Sequence, residues 1–171
     1  MITMVKRLAS RRNPVRFALL AVALAACAQP IAAIPTPAPT ATPRPVIRDV
    51  RPGENWIEVD LDAQMVRLWI GEEMQAEYAA ASGVQDLTIP GEYRVQQLIE
   101  GPIENVPGVW VSDIVIYDLF GGMGIHSRPM DEAGKLLDET LGVPASGGCV
   151  RVGESAEVFS FASLSMRVWV H

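Results

Sequence analysis

The chain has 171 residues, with 20 acidic residues against 14 lysines and arginines, and its formal net charge at pH 7 is −6. All of the acidic residues but only nine of the basic ones follow Cys27, so that part of the chain carries 9 − 20 = −11. A charge of this sign argues against nucleic acid or anionic lipid as a binding partner, because both would repel the protein.

The first 26 residues have the pattern of a secretory signal. Basic side chains are followed by an unbroken apolar run over residues 17–26, which is too short to cross a bilayer as a permanent helix. We therefore predict that residues 1–26 are a signal peptide, and we exclude them from the fold. The protein is expected to be exported.

The signal ends in Leu24-Ala25-Ala26-Cys27, which resembles a bacterial lipobox, where cleavage precedes a cysteine whose sulfur carries lipid. The alternative is an ordinary cleavage site with an incidental cysteine. As a lipobox residue, Cys27 would anchor the protein to the outer side of the cytoplasmic membrane, facing the cell wall. Residues 27–54 are rich in proline, alanine and threonine, which favours extended polyproline geometry, so we interpret them as a semi-rigid tether.

Residues 55–171 are long enough for one domain with a single hydrophobic core. In chain order, alternating apolar and acidic residues predict a half-buried strand over 56–61, then a turn at 62–64 and a return strand over 65–70. Further strands are predicted over 74–81, after a Pro-Gly turn at 90–91, over 111–119 and over 166–170. The 111–119 strand is the most apolar, so we expect it to be central.

The predicted fold class is mostly β and largely antiparallel, with one or two short helices. Residues 131–141 are expected to form either a short helix or a loop. Residues 154–164 show loosely helical spacing of apolar side chains, which favours a helix there.

Cys149 is the first candidate functional residue. Lipidation of Cys27 would leave it without a disulfide partner, and a leftover thiol in an exported protein is a candidate reactive group. Free cysteine is commonly a small buried hydrophobe, but Ser146, Gly147 and Gly148 before it offer no apolar packing surface. Glycines also permit a tight turn and leave backbone N–H groups to face an oxyanion.

His126 is the candidate base for this thiol, the alternative being a histidine satisfied by the core or by solvent. A thiol needs a base or a cationic neighbour to react near neutral pH. The chain has two histidines, and His171 stands at the chain end, where disorder is common, so His126 is preferred. Arg151 is either a solvated strand residue or a ligand for a substrate carboxylate. One thiol and one histidine do not supply a closed zinc shell, so we predict no metal.

His126-Ser127 followed by the segment 146–151, Ser-Gly-Gly-Cys-Val-Arg, resembles the L,D-transpeptidase catalytic domain family. Residues 56–64, 88–93 and 167–170 are similar to the family's first hairpin, its Thr-Pro-x-Gly-x-Phe segment and its closing strand. The resemblance implies an L,D-transpeptidase-like β-sandwich or barrel over residues 55–171. Two features depart from the family pattern. Gly147 stands where histidine is usual, and the interval from His126 to Cys149, 149 − 126 = 23 residues, is long. Residues 128–144 are therefore expected to form an enlarged loop over the site.

The resemblance further implies acyl transfer on peptidoglycan stem peptides, with Cys149 as nucleophile and His126 as base and then acid. The other expected site residues are Ser127, whose carbonyl orients the imidazole, and Ser146, Gly147, Gly148 and Arg151, which bind the substrate or its oxyanion. An amine acceptor would give a cross-link, and water would make the protein an L,D-carboxypeptidase. A non-catalytic wall-binding lipoprotein is the third alternative, motivated by Gly147. No cofactor is implied, and a monomer is expected.

Overall fold

Short strands joined by tight turns make up most of the computed structural model, which describes residues 49–171. One α-helix, α1 (Ser155–Phe161), and a 3₁₀ turn at Val84–Asp86 accompany the strands in this range. The fold class predicted from the sequence, mostly β with a short helix, is confirmed. The strands are β1 (Asn55–Asp60), β2 (Met65–Ile70), β3 (Glu73–Ala81), β4 (Gly91–Arg94), β5 (Gln97–Ile99), β6 (Ile103–Val106), β7 (Val109–Val111), β8 (Ile114–Asp118), β9 (Met123–Ser127), β10 (Val150–Val152) and β11 (Arg167–Val170).

Nine of these strands form one sheet in the order β4-β11-β1-β2-β3-β10-β9-β8-β5, and β6 pairs with β7 in a separate hairpin. The pairs β1–β11 and β9–β10 are parallel, and the other pairs are antiparallel. A parallel pair needs a long crossover connection. For β9 and β10 that connection is the segment 128–149, which carries the chain from the end of β9 back to the level of Ile125, where β10 starts.

The sheet is curled, so that strands near its opposite ends face each other. The rings of Tyr93 in β4 and Tyr117 in β8 are in contact, with centroids 5.0 Å apart and planes tilted by 53°. The curl encloses one apolar core, against which α1 packs through Val158. Each fully buried aliphatic side chain there stabilises the fold by about 1.5–3 kcal/mol relative to exposure. The least exposed core residues are Ile57, Val59, Val66, Val115, Tyr117, Ile125, Val150, Val152, Val158, Val168 and Val170.

β1 is not the half-buried strand that its alternating pattern predicted. It lies between β11 and β2, and Glu58, on the polar face, is only 4% exposed. The carboxylate accepts a hydrogen bond from Trp69 Nε1 at 2.9 Å and lies 3.3 Å from Arg67 and 3.0 Å from His171 Nε2. A buried carboxylate is tolerated when it is paired and hydrogen-bonded. The alternating polar residues of β1 therefore do not mark a solvent-exposed face, and the strand is covered on both faces.

The strand predicted over 111–119 is also corrected. It breaks at Asp113, whose φ of 55° is incompatible with an extended chain, so that β7 ends at Val111 and β8 starts at Ile114. β8 lies next to the edge strand β5 and is not central; its apolar character follows from the cover given by α1 and by the curl. Residues 131–141, expected as helix or loop, form turns and bends.

The predicted signal peptide (1–26), Cys27 and all of the tether up to residue 48 lie outside the described residues. Within residues 49–171, no helix is long and apolar enough to cross a membrane.

Candidate active site

The parallel pairing of β9 with β10 brings the two predicted reactive residues to the same part of the sheet. In register, Ile125 faces Val150, and His126 faces Arg151. Ile125 and Val150 point into the core, and side chains alternate along a strand, so His126 and Arg151 lie together on the opposite face. Cys149 immediately precedes β10. Because side chains alternate along a strand, the spacing of two residues between Cys149 and Arg151 is the one expected for a thiol on the face that carries His126.

His126 is held in one orientation by its neighbour. Its Nδ1 lies 2.7 Å from the backbone carbonyl oxygen of Ser127, which can only accept, so Nδ1 carries the hydrogen and Nε2 is left with a lone pair. Ser127 is itself fixed: its Oγ accepts from the N–H of Ser112 at 2.9 Å and donates to the carbonyl of Arg128 at 3.0 Å. Burial, with His126 only 7% exposed, lowers the pKa of the imidazole, and Arg151 lowers it further, against the Ser127 hydrogen bond. The ring is thus neutral and able to accept a proton.

The Cys149 thiol faces the turn between β8 and β9. Its Sγ lies 3.3 Å from the carbonyl oxygen of Gly122. Burial raises the pKa of the thiol, whereas a hydrogen bond from the backbone of Gly124 and the positive charge of Arg151 act to lower it. Since burial is the largest of these influences, the resting residue is a thiol and needs a base at the moment of attack.

The turn before Cys149 is fixed by hydrogen bonds. Ser146 is buried, and its backbone bonds to Ser82 and to Val84. Its Oγ accepts from the N–H of Gly148 at 3.1 Å and donates to the carbonyl of Cys149. Ser146 therefore shapes the turn, and the Gly148 N–H, expected as an oxyanion donor, already has an acceptor.

Gly147 and Gly148 differ in backbone conformation and in the space available for a side chain. At Gly148, φ is +136° and an added Cβ would lie 3.2 Å from Met123 Cε, so the position favours glycine. At Gly147, an added Cβ would meet nothing within 4 Å, and φ is not in the left-handed region. Gly147 is also exposed. The backbone therefore accepts a side chain at the position where the resemblance leads one to expect histidine.

Arg151 binds an acidic residue of the 128–149 loop. Its guanidinium lies 2.6 Å from Asp138 Oδ2. Hydrogen bonds from Thr140 and from Arg151 hold the pKa of the Asp138 carboxyl at about 2. Arg151 was expected to be either solvated or bound to a substrate carboxylate, and its partner in the structure is a carboxylate of the chain itself.

Sequence reasoning missed Thr88, which is 1% exposed and ties the site to the segment before β4. Its Oγ1 accepts from the N–H of Gly83 at 2.7 Å and donates to the carbonyl of Gly148 at 2.6 Å. The signal was present, because Thr88 opens the segment that resembles the family's Thr-Pro-x-Gly-x-Phe motif. Asp138 and Tyr117 were also missed. Tyr117 is fully buried, and its pKa is raised by burial and by Cys149, but no local sequence pattern marks either residue.

His171 belongs to a different part of the molecule. Its ring stacks on Trp169 and its Nε2 lies 3.0 Å from Glu58 Oε1, and in the sheet β2 and β3 separate β1 from β10. The side chains of Glu58, Asp60 and His171 offer ligand atoms within 4.8 Å of one another. Arg67 lies 3.3 Å from Glu58 and 2.9 Å from Asp60, so these carboxylates already have a cation as partner.

Residues 54–170 match the family model of the YkuD L,D-transpeptidase catalytic domain. The match covers most of the chain, and it includes every element of the curled sheet and the His126–Cys149 site. The chain belongs to the L,D-transpeptidase catalytic domain family. The fold is that of a peptidoglycan transpeptidase-type enzyme.

Solved structures of the same fold support this assignment. An L,D-transpeptidase from Mycobacterium smegmatis matches at 17% identity and a TM-score of 0.53, over 69% of this chain and 58% of that one. An L,D-transpeptidase from Xylanimonas cellulosilytica matches at 20% identity and a TM-score of 0.57, over 75% and 64%. The catalytic domain of an E. faecium L,D-transpeptidase matches at 25% identity and a TM-score of 0.51, over 70% and 98%.

The chain spans between half and two thirds of the length of the M. smegmatis and X. cellulosilytica proteins. It spans nearly the whole of the E. faecium catalytic domain. A comparison with curated protein sequences gave no match.

Proposed function

We propose that this protein is a peptidoglycan L,D-transpeptidase that forms cross-links through an acyl-enzyme on Cys149. Family membership supports the reaction class. The observation that carries the residue assignment is the β9–β10 register, which sets His126 beside Arg151, two residues from Cys149. The proposed site combines the imidazole of His126 and the guanidinium of Arg151, which share one face of the sheet, with the thiol of Cys149.

In the first half-reaction, Nε2 of His126 takes the proton of the Cys149 thiol as the sulfur attacks the carbonyl carbon of the diamino-acid residue in a stem tetrapeptide. The Ser127 carbonyl, 2.7 Å from Nδ1, stabilises the imidazolium that forms. The tetrahedral intermediate collapses by breaking the C–N bond to the terminal D-alanine. His126 returns the proton to the departing amine, and a thioester remains on Cys149.

In the second half-reaction, an amine of a neighbouring stem attacks the thioester carbonyl and gives up a proton to His126. The C–S bond breaks, and His126 passes that proton to the departing sulfur, so the thiol is regenerated and the new amide is the cross-link. The Cys149 N–H would donate to the oxyanion in both steps, because the Gly148 N–H donates to Ser146 Oγ. A preorganised donor of this kind contributes roughly 3–4 kcal/mol in other enzymes. No step uses a cofactor.

Hydrolysis is the competing outcome at the same site. If water in place of the amine resolves the thioester, the product is a trimmed stem tripeptide and the protein is an L,D-carboxypeptidase. The two activities share the first half-reaction, so they are distinguished by their products: a cross-linked dimer for one, and a free tripeptide for the other.

The location that fits this function is the outer side of the cytoplasmic membrane. We propose that Cys27 is lipidated and that the proline-rich segment 27–54 spaces the domain from the membrane, toward the wall. Metabolic labelling with a lipid precursor tests this: label lost in Cys27→Ser supports the anchor, and label retained in that variant contradicts it.

The activity is tested by incubating the purified protein with disaccharide tetrapeptide and separating the products by mass spectrometry. We expect dimer and free D-alanine from the wild type. Cys149→Ala and His126→Asn should produce neither, because the nucleophile or its base is missing. A matched control is His171→Asn, which alters the other histidine of the chain and should retain turnover.

The observation that favours a non-catalytic role is Gly147, where the family usually has histidine. If the wild type and Cys149→Ala bind sacculi equally tightly and neither releases D-alanine, the protein is a wall-binding module and not a transpeptidase. Turnover that disappears with Cys149→Ala would exclude that module.

A further inference from the structure

The 128–149 loop carries a carboxylate into the candidate active site. Asp138 Oδ2 lies 2.6 Å from the Arg151 guanidinium, and Arg151 pairs in register with His126. The positive charge of Arg151 acts on both the Cys149 thiol and the His126 imidazole. Asp138 is therefore bound to a cationic group that acts on both proposed reacting residues.

The contacts of this ion pair allow another carboxylate to displace Asp138 from Arg151. The Arg151 side chain is 16% exposed and that of Asp138 is 36% exposed, so solvent reaches the carboxylate. Asp138 Oδ1 accepts a separate hydrogen bond from the Thr140 N–H at 2.9 Å. Once displaced from Arg151, Asp138 would keep this contact and find water for its second oxygen. Partly exposed pairs of this kind are weak.

The rest of the loop stays in place independently of the pair. Met130 bridges to the backbone of Trp110, Gly142 N–H donates to Ala80 at 2.7 Å, and the N–H of Ser146 donates to Ser82 at 2.9 Å. Since these backbone contacts flank Asp138 on both sides, the carboxylate can leave Arg151 without the loop unfolding.

We infer that Asp138 occupies the carboxylate-binding position of the site and is a specificity-determining residue, which gives up Arg151 to a donor that brings its own carboxylate. The identity of that donor, a stem peptide with a terminal carboxylate, rests on the proposed function. The guanidinium fork suits either carboxylate. Asp138 thus competes with the donor carboxylate for Arg151 and lowers the affinity of the site for the donor.

The test compares two alkylating agents of similar shape, iodoacetate and iodoacetamide, on the full-length protein. Both react by forming a bond from the Cys149 sulfur to carbon as iodide leaves, and both consume the thiolate. The ratio of their rates at the Cys149 peptide, followed by mass spectrometry, therefore cancels thiolate abundance and reports attraction of a carboxylate. Asp138→Asn frees Arg151, so the ratio is expected to rise roughly threefold, the effect of one partly exposed charge pair.

Two variants make the result specific. Glu139→Gln removes the same charge at the next, exposed residue and should leave the ratio unchanged. Arg151→Gln should lower the ratio, and adding Asp138→Asn to it should have no further effect. A ratio that is unchanged in Asp138→Asn, with thermal unfolding as in the wild type, overturns the inference. So does an equal rise in Glu139→Gln.

The measurement is separable from the proposed function, since alkylation needs a reachable thiol and no peptidoglycan. If the protein does not turn over stem peptides but the alkylation ratio rises in Asp138→Asn, the role of Asp138 is supported and the transpeptidase proposal is wrong. If the protein forms cross-links but the alkylation ratio does not rise in Asp138→Asn, the transpeptidase proposal is supported and the inferred role of Asp138 is wrong.

Discussion

Arg151 and His126 lie side by side across the parallel pair of β10 and β9. Burial is the main cause that lowers the pKa of His126, and the positive charge of Arg151 lowers it further. Burial also raises the pKa of the Cys149 thiol. Each of these shifts favours the uncharged form of its group. The resting site therefore holds a protonated thiol and a neutral imidazole, and not a thiolate and an imidazolium.

This charge state predicts the pH dependence of Cys149 alkylation by iodoacetamide. A thiol whose pKa lies above its ordinary value, about 8.5, is mostly protonated at neutral pH. The rate should thus rise about tenfold per pH unit between about pH 6 and 8, with no plateau in that window. Peptide-resolved mass spectrometry measures it, with free cysteine under the same conditions as the reference. A rate independent of pH over that range would reveal a preformed thiolate, and the pKa ordering would be wrong.

The sequence could predict this pair of residues but not their surroundings. His126 and Cys149 are marked by local glycines and by a family pattern. By contrast, the contact of Thr88 with Gly148 joins residues 60 positions apart, and no local rule places them together. Asp138 lies in a loop whose path depends on backbone contacts to β3 and β7, so its contact with Arg151 follows from the tertiary fold alone.

The strands show the same division. The hairpin of β1 and β2 was predicted within a residue of its bounds, because turn residues and alternation are local signals. The burial of Glu58 was not, since it depends on Trp69, Arg67 and His171 covering the polar face. The three-residue strand β10 is too short for periodicity to predict, although it positions the site.

Gly147→His tests whether the missing side chain limits activity. The position has room for a Cβ and an ordinary φ, so the free energy of unfolding should change by less than about 0.5 kcal/mol. We expect release of D-alanine from stem tetrapeptide to rise, because the imidazole would add a polar group for the donor beside Cys149. Thermal unfolding and product analysis measure the two effects. Unchanged or reduced turnover in a folded variant would show that Gly147 is not the limiting feature.

Gly148→Ala is the matched change at the neighbouring glycine. Its positive φ and the approach of the Met123 side chain to the added Cβ predict destabilisation of about 1–3 kcal/mol. Denaturant unfolding measures it. If Gly148→Ala is as stable as the wild type, the turn before Cys149 adapts to an added side chain more readily than its geometry indicates. The predicted difference in stability between substitutions at Gly147 and Gly148 would then be wrong.

Thr88→Val removes a hydroxyl that joins two backbone groups while conserving the shape of the side chain. The Gly83 N–H and the Gly148 carbonyl would lose their partner in a buried place, which should cost about 1–3 kcal/mol of unfolding free energy. Because Gly148 adjoins Cys149, the rate of acylation should fall as well. Thr88→Ser keeps the hydroxyl and should restore both quantities to near the wild-type level. A loss of stability of the same size in Thr88→Ser would assign the effect to the methyl group.

Tyr117→Phe is expected to stabilise the protein. The Tyr117 hydroxyl is buried and has no hydrogen-bond partner among residues 49–171, so folding desolvates it without compensation. Its removal should raise the free energy of unfolding by about 1 kcal/mol, as measured by urea denaturation. The control is Tyr93, whose ring is in contact with that of Tyr117. Tyr93 donates from its hydroxyl to the Ile89 carbonyl at 3.0 Å, so Tyr93→Phe loses a hydrogen bond and should destabilise by about 0.5–1.5 kcal/mol. Destabilisation of both variants would mean that the Tyr117 hydroxyl has a hydrogen-bond partner in solution.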